Sequence, residues 1–293
     1  MQEKFWISKE SKLNVIYLSD FHNPFWQRSL SEILSQLHTV EFLVELFLVN
    51  TSTSETHVLS INQFLKHHEF QVNPNPSIHL NLLSIPWAGY ATTRKESLKS
   101  ISVLHASDQV LFLDDDDLIS PDFFKKVRIA SDLYPDFIIG IGEKRHSSID
   151  FYPVRTLGFM GLSFPAKYLK YISENLDPFF DKCGGEDTYL CYKIQETDIL
   201  ILAQGSRYAI DMSLKENQNN LKLEFLQSWV LGLVNQRCYG TVTIKNFINI
   251  TGLIANTMIS RIPDHSIKFA RIFGYIFSVF SKKPPSRKWA KNK

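Results

Sequence analysis

The chain has 293 residues, of which 44% are hydrophobic, and a net charge of only +2. That length suits one large α/β domain, or such a domain with a helical appendix, and near-neutrality argues against wholesale nucleic-acid binding. Cys183, Cys191 and Cys238 form no CxxC pair, which argues against a disulfide framework and fits a reducing compartment.

The opening Met1-Gln2-Glu3-Lys4-Phe5-Trp6 lacks the apolar stretch of a signal peptide, so the expected location is cytoplasmic. Apolar periodicity predicts strands over 13–18, 42–49, 78–85 and 109–113, with helices over 29–37, 61–68 and 92–106 between them. Asn73-Pro74-Asn75-Pro76 reads as a turn, and Pro86 stops the third strand. The order β-α-β-α-β-α-β implies a parallel sheet with right-handed crossovers. A further strand is expected over 137–141, followed by a polar stretch over 142–155. Residues 158–164 return to the core, and late strands are expected over 199–202 and 207–211. From Glu224 onward the pattern is helical, with no Gly/Ser linker before it. The expected organisation is a domain over 1–215 with a helical extension over 216–293 packed on it. No apolar run reaches transmembrane length.

Four aspartates, Asp114 to Asp117, close the apolar run Val110-Leu111-Phe112-Leu113. Carboxylates crowded at a strand end repel one another, and hard divalent cations take carboxylate oxygens. Alternation along a strand puts Asp114 and Asp116 on one face and Asp115 on the other. The predicted site is therefore a metal site at the mouth of the sheet, where α/β proteins bind ligands. Pro121 suits the first position of the next helix, and Asp117 or Ser120 suits its cap. Downstream, Gly184 and Gly185 lead into Glu186 and Asp187. The glycines permit special dihedrals and close approach to a ligand. The carboxylates fall in a first helical turn, where the helix dipole favours them, and one can act as a general base.

These runs resemble a known family. Leu111-Phe112-Leu113-Asp114-Asp115-Asp116-Asp117-Leu118, followed by Pro121, resembles the DxD segment of family 2 glycosyltransferases of the GT-A fold. Thr93-Arg94-Lys95-Glu96-Ser97-Leu98 stands where that family has its ARNxGI-like helix start. Phe179-Phe180-Asp181-Lys182-Cys183-Gly184-Gly185-Glu186-Asp187 is similar to the GWGGED segment of β-1,4-galactosyltransferase-like enzymes. The resemblance covers residues 13–212.

It implies an α/β, GT-A fold, Rossmann-like with a mostly parallel central sheet, plus the helical C-terminal extension. It implies a metal-dependent inverting glycosyltransferase that moves a sugar from a nucleotide-sugar donor to a hydroxyl of a glycan or lipid-linked acceptor, as in surface-polysaccharide assembly. Asp114 and Asp116 would be the DxD pair, with Asp116 in direct contact with Mn2+ or Mg2+. Asp114, Asp115, Asn50 and Arg94 would serve donor binding, Arg94 by neutralising phosphate. Asp187 would be the base, and Glu186 would bind or position the acceptor. Gly184, Gly185 and Arg155, with Tyr152 and Phe159, would line the acceptor side. Asn50 stands where the family commonly has an acidic residue, and Cys183 replaces a tryptophan. No histidine occupies the late metal-ligand position; Asp211 takes that place, or the site uses fewer protein ligands. The loop with Trp87 and Gly89 is expected to border the donor pocket, and the histidines to be surface residues.

Two other readings remain open at this stage. A nucleotidyltransferase also pairs such a sheet with Asp-bound metal, but Ser19-Asp20-Phe21-His22-Asn23-Pro24 is no glycine-rich phosphate loop. A non-catalytic cation- or carbohydrate-binding module would not need a base away from the metal cluster. Finally, the apolar stretch 267–280 is followed by Lys282, Lys283, Arg287, Lys288, Lys291 and Lys293, with Trp289 among them. This pattern suggests peripheral docking on an anionic membrane surface at the inner face of the cell membrane; a core helix with a basic tail is the alternative.

Overall fold

A computed structural model describes residues 11–22, 24–67, 77–101, 105–141, 151–159, 161–204, 209–211, 221–239, 244–259 and 265–281. The first ten residues, the turn at Asn73-Pro74-Asn75-Pro76, the polar residues 142–150, the boundary near 215 and the basic tail lie outside them.

The elements follow as β1 (Leu13–Ser19), α1 (Trp26–Leu37), β2 (Val44–Asn50), α2 (Glu55–His67), β3 (Ile78–Ser84), α3 (Tyr90–Ser100), β4 (Gln109–Asp114), β5 (Asp117–Ile119), α4 (Phe123–Leu133), β6 (Ile138–Gly140), β7 (Phe151–Pro153), β8 (Leu162–Pro165), α5 (Leu169–Asn175), α6 (Glu186–Ile194), β9 (Ile201–Gln204), β10 (Ala209–Asp211), α7 (Leu221–Tyr239), α8 (Ile244–Ile259) and α9 (His265–Phe280). The central sheet has the order β3-β2-β1-β4-β8-β6-β9-β7, and β10 pairs separately with β5. The first four strands in that order are parallel, as is the pair β6–β9; β8 and β7 run antiparallel to their neighbours.

The inner strands are largely apolar because both faces of the sheet are covered. Leu13, Val15 and Tyr17 of β1, with Leu111 and Leu113 of β4, pack against Leu30, Ile33 and Leu34 of α1 and Phe123, Phe124 and Val127 of α4. The alternate residues Ile16, Leu18, Val110 and Phe112 pack on the other face, against Leu98 of α3, Ile172 of α5 and Leu190 and Ile194 of α6. A third apolar cluster joins Phe180, Cys183 and Tyr189 to Leu226, Val230 and Val234 of α7. The helical extension therefore shares a core with the segment that carries Glu186 and Asp187.

Two local expectations change. The helix expected over 92–106 ends at Ser100, because Ile101 turns extended (φ −78°, ψ 97°) and buries its side chain. Asp108 then gathers the entry to β4, accepting from the backbone N–H of Lys12 at 3.0 Å and of His105 at 2.9 Å. Pro121 is not the first helical residue: α4 begins at Phe123, after Asp122 in the left-handed region (φ 60°). The Phe123 N–H, which also reaches the Ser120 carbonyl at 3.2 Å, is met by a side chain from another helix, with Gln36 Oε1 accepting at 3.0 Å while Gln36 Nε2 donates to the Ser120 carbonyl at 2.8 Å.

Candidate functional site

Parallel register brings the strand ends together. Ser19 lies opposite Asn50, Asn50 opposite Ser84, and Leu18 opposite Asp114. Ser19, Asn50 and the aspartates therefore share the C-terminal edge of the sheet, where an open α/β sheet takes its ligand. The strand alternation expected across the four aspartates does not run through them, since β4 stops at Asp114, Asp115 and Asp116 form a turn, and β5 starts at Asp117. The turn is closed by Asp117 Oδ2, which accepts from Asp114 N at 2.8 Å. Asp117 is buried, and Asp211 on β10 lies opposite it in the antiparallel ladder. That register places the backbone of Asp211 beside the acidic turn.

Asp115 accepts from Ser19 Oγ at 2.7 Å. Burial pushes its carboxyl up to about 7; Ser19 opposes that shift, and the charges of Asp114, Asp116 and Asp20 add to it. Ser19 Oγ also accepts from the N–H of Phe21 at 2.8 Å, which holds Phe21 in the left-handed region (φ 55°). Asn50 is buried, with Oδ1 accepting from Ser52 N at 3.0 Å. Its Nδ2 is buried without a hydrogen-bond partner. A polar donor in that state costs free energy unless a ligand or water meets it.

Arg94 joins the two acidic segments. Its Nη2 donates to both carboxylate oxygens of Asp114, at 2.9 and 3.2 Å, and its Nη1 donates to Glu186 Oε1 at 2.7 Å. The guanidinium stacks over the Phe159 ring, 4.4 Å from its centroid. Arg94 and Glu186 are both buried. Burial alone would lower the Arg94 pKa; the charges of Asp114, Glu186 and Asp187 outweigh it and hold the guanidinium charged. For Glu186 burial wins over the pull of Arg94, and its carboxyl is raised to about 7. Arg94, read from sequence as a phosphate ligand, is thus held by carboxylates, and Glu186 is covered rather than open to an acceptor. Asp187 is half-buried on the first turn of α6, its Oδ1 accepting from Thr188 N at 2.6 Å.

The glycines before Glu186 have a packing reason. Gly184 (φ 77°) and Gly185 (φ 92°) both take positive φ, and a Cβ on Gly185 would lie 2.5 Å from Val230 Cγ1 of α7. The close approach here is to the helical extension. Cys183 beside them is buried, and burial raises its thiol to about 12.

Sequence reasoning missed the clamp that orients Arg94. Asp181 Oδ1 accepts from Thr92 N at 2.7 Å, Oδ2 accepts from Thr92 Oγ1 at 2.5 Å, and the Asp181 carbonyl accepts from Tyr90 N at 3.2 Å. The first turn of α3 is thus capped from a segment far along the chain. Only the Asp in Phe179-Phe180-Asp181 hinted at it. Gly89 makes room for the clamp, since a Cβ there would stand 2.1 Å from Asp181 Cβ and φ is 124°. We expect Gly89→Ala to lower unfolding stability by about 2 kcal/mol or more through steric overlap and backbone strain, read as a lower denaturant midpoint at unchanged slope.

Other residues are less central. Trp87 is about half exposed and sets its ring at 5.0 Å from Tyr90. Arg155 is exposed, and its carbonyl accepts from Gln195 at the far end of α6 from Glu186; it is not among the residues gathered at the acidic cluster. Tyr152 sits on β7, the opposite edge strand of the sheet from β3. His22 and His57, expected as scattered surface residues, meet edge-to-face at 4.0 Å.

A divalent cation fits the chemistry of the acidic turn, whose donors are oxygens only. Among the described residues no three His, Cys, Asp or Glu side chains converge to chelate a metal. Asp114 is engaged by Arg94, Asp115 by Ser19, and Asp117 by its own turn. An ion here would rest on few carboxylates, with the remaining positions left to water and a bound phosphate, an arrangement Mg2+ and similar hard ions accept.

No family model matches the sequence, and neither does any curated protein. Solved structures do match its fold. A mannosyltransferase from Pyrobaculum calidifontis in complex with GDP-Man and Mn2+ superposes with a TM-score of 0.52 at 12% identity, covering 92% of this chain and 85% of that one. Residues 1–349 of TarS from S. aureus, in complex with UDP-GlcNAc, give a TM-score of 0.50 at 14% identity over 92% and 81% of the two chains. The architecture is GT-A, a mostly parallel α/β sheet flanked by helices.

Proposed function

We propose that this chain is a metal-dependent, inverting glycosyltransferase that takes a nucleotide sugar as donor and a hydroxyl of a glycan or lipid-linked molecule as acceptor, in surface-polysaccharide assembly at the cytoplasmic face of the cell membrane. One observation carries the reading: Arg94 ties Asp114 at the end of β4 to Glu186 at the start of α6, so two acidic segments distant in sequence form one site at the ligand-binding edge of the sheet. A cation- or sugar-binding module has no need of such a tie. The GT-A fold, shared with structures holding GDP-Man and Mn2+ or UDP-GlcNAc, supports a nucleotide sugar as donor.

The chain's own groups would divide the work. Asn50 and Asp115, at the ends of β2 and β4 on either side of β1, would hold the nucleoside side of the donor. Asp116, with Asp114 beside it and Asp211 across the β5–β10 ladder, would hold Mn2+ or Mg2+, which when bound supplies Lewis-acid neutralisation of the departing diphosphate. Asp187 would take the proton from the acceptor hydroxyl as its oxygen attacks the anomeric carbon and the bond to the diphosphate breaks. With one base and no separate nucleophile assigned, displacement is single and inverts the anomeric centre. Glu186 would act through Arg94 by fixing where the base-bearing turn meets the metal-bearing turn. Gly184 and Gly185 shape the wall on the acceptor side.

Asp116→Asn is expected to abolish Mn2+-dependent binding of the donor while the unfolding temperature stays within a degree or so, because losing one of several crowded carboxylates relieves repulsion. Calorimetric titration with a panel of UDP-, GDP- and dTDP-sugars, with and without Mn2+, tests both this and the reading itself. Wild-type affinity in the variant removes Asp116 from the metal site. Absence of any Mn2+-dependent binding or turnover across the panel removes the transferase assignment.

A further inference from the structure

The last helix, α9, carries much of its large apolar surface on the outside. A helix of a water-soluble domain buries its large apolar stripe and exposes its polar one. Where α9 comes closest to α7 the residues are small or polar, with Phe277 at the margin setting its ring 4.8 Å from that of Trp229. A Cβ on Gly274 would lie 2.4 Å from the Phe225 carbonyl oxygen, and one on Gly232 of α7 would lie 2.0 Å from Ser278 Oγ. Ser278 is fully buried, and Arg271 pairs with Glu224 at 2.6 Å. Three phenylalanines are on the outside, Phe269 at 61% exposed, Phe273 at 59% and Phe280 at 80%, with Ile276 and Val279 also exposed; Tyr275 is buried. Positions 269, 273, 276 and 280 follow the helical repeat and make one stripe. On α8, Ile248, Met258 and Ile259 are exposed as well.

We infer that this face is a docking surface for an anionic lipid bilayer, with α9 lying in the plane of the interface. Four observations argue for lipid as the occupant. The stripe is aromatic and aliphatic with no carboxylate on it. Close packing of α7 on α9 through Gly232, Gly274 and Ser278 leaves Phe269, Phe273 and Phe280 outside, and helices in lipid pack through small residues in the same way. The residues that follow α9, 282–293, include Lys282, Lys283, Arg287, Lys288, Lys291 and Lys293 and no acidic residue, which complements negative headgroups. Finally, no described helix is long and apolar enough to cross a membrane; a 16-residue helix spans about 24 Å, short of a hydrocarbon core. Helices with these properties lie on the surface. The α9 platform is one helix away from the proposed site, since α7 packs on α9 on one side and on Gly185 on the other.

The test is co-sedimentation of the full chain, without donor, with phosphatidylcholine vesicles and with vesicles that also contain phosphatidylglycerol. Wild type is expected to bind the anionic vesicles at low salt and to release partly at high salt. Phe269→Ser/Phe273→Ser/Phe280→Ser is expected to bind at least about tenfold more weakly and to melt no lower than wild type, because the side chains removed are exposed. Lys282→Gln/Lys283→Gln/Arg287→Gln/Lys288→Gln is expected to lose at least about tenfold on anionic vesicles only. Failure of wild type to bind anionic vesicles at low salt overturns the proposal. So does wild-type binding by either variant, or a stable dimer in light scattering that the phenylalanine variant loses, which would make the face a contact between copies. Because donor is absent, the outcome is independent of whether the chain transfers sugar.

Discussion

Asp187→Asn is expected to leave nucleotide-sugar binding within about twofold of wild type and to lower turnover by ~10²-fold or more, the range for removing a general base. The separation of effects follows from position. Asp187 sits on the first turn of α6, outside the acidic turn of β4 and β5. It is half-buried, and its Oδ1 is oriented by Thr188. Asparagine keeps the size and one acceptor oxygen but cannot take a proton, so the Thr188 contact survives while proton removal stops. Calorimetry for the donor and single-turnover kinetics for the transfer read the two effects apart. Turnover unchanged from wild type would reduce Asp187 to a residue that merely starts a helix.

The second large effect is structural first and catalytic in consequence. Arg94→Met is expected to cost about 3–5 kcal/mol of stability, the usual result of removing one partner from a buried charge cluster. Glu186 would then keep a buried carboxylate with its Arg94 partner gone, and Asp114 would lose both of its Nη2 contacts. Methionine retains much of the side-chain volume over Phe159, so the loss is chiefly electrostatic. Adding Glu186→Gln to Arg94→Met is expected to return part of the lost stability, because the uncompensated charge is gone. Activity is expected to stay low in the double variant, since nothing then ties the α6 turn to the β4 turn. Denaturant unfolding of the four proteins in the cycle measures the coupling. Additive losses, with no recovery in the double variant, would show that Arg94 contributes by packing alone.

Much of the sheet was legible in the chain itself. Runs such as Leu-Asn-Val-Ile-Tyr-Leu, apart from its one asparagine, and Val-Leu-Phe-Leu are apolar on both faces, the pattern of a strand covered on both sides. Their alternation with helical stretches required parallel crossovers, and the strands over 13–19, 44–50, 78–84 and 109–114 follow. The acidic turn was legible for the same local reason, because four carboxylates after an apolar run can only fall where a strand ends. Gly184-Gly185 likewise announced a backbone break before α6. The partners of these groups were decided only by the tertiary structure. Whether Arg94 faces phosphate or carboxylate depends on the fold bringing α3, β4 and α6 within hydrogen-bond reach, and no local propensity encodes such long-range contacts. The cap of α4 by Gln36 and the cap of α3 by Asp181 are hidden for the same reason: capping rules look a few residues away, and these caps come from other elements. The exposed aromatic stripe of α9 was invisible too. Its apolar content is plain in sequence, but composition cannot say which face a neighbour covers. Gly232 and Gly274 settle that by letting α7 approach the small side of α9 closely, which leaves Phe269, Phe273 and Phe280 outside.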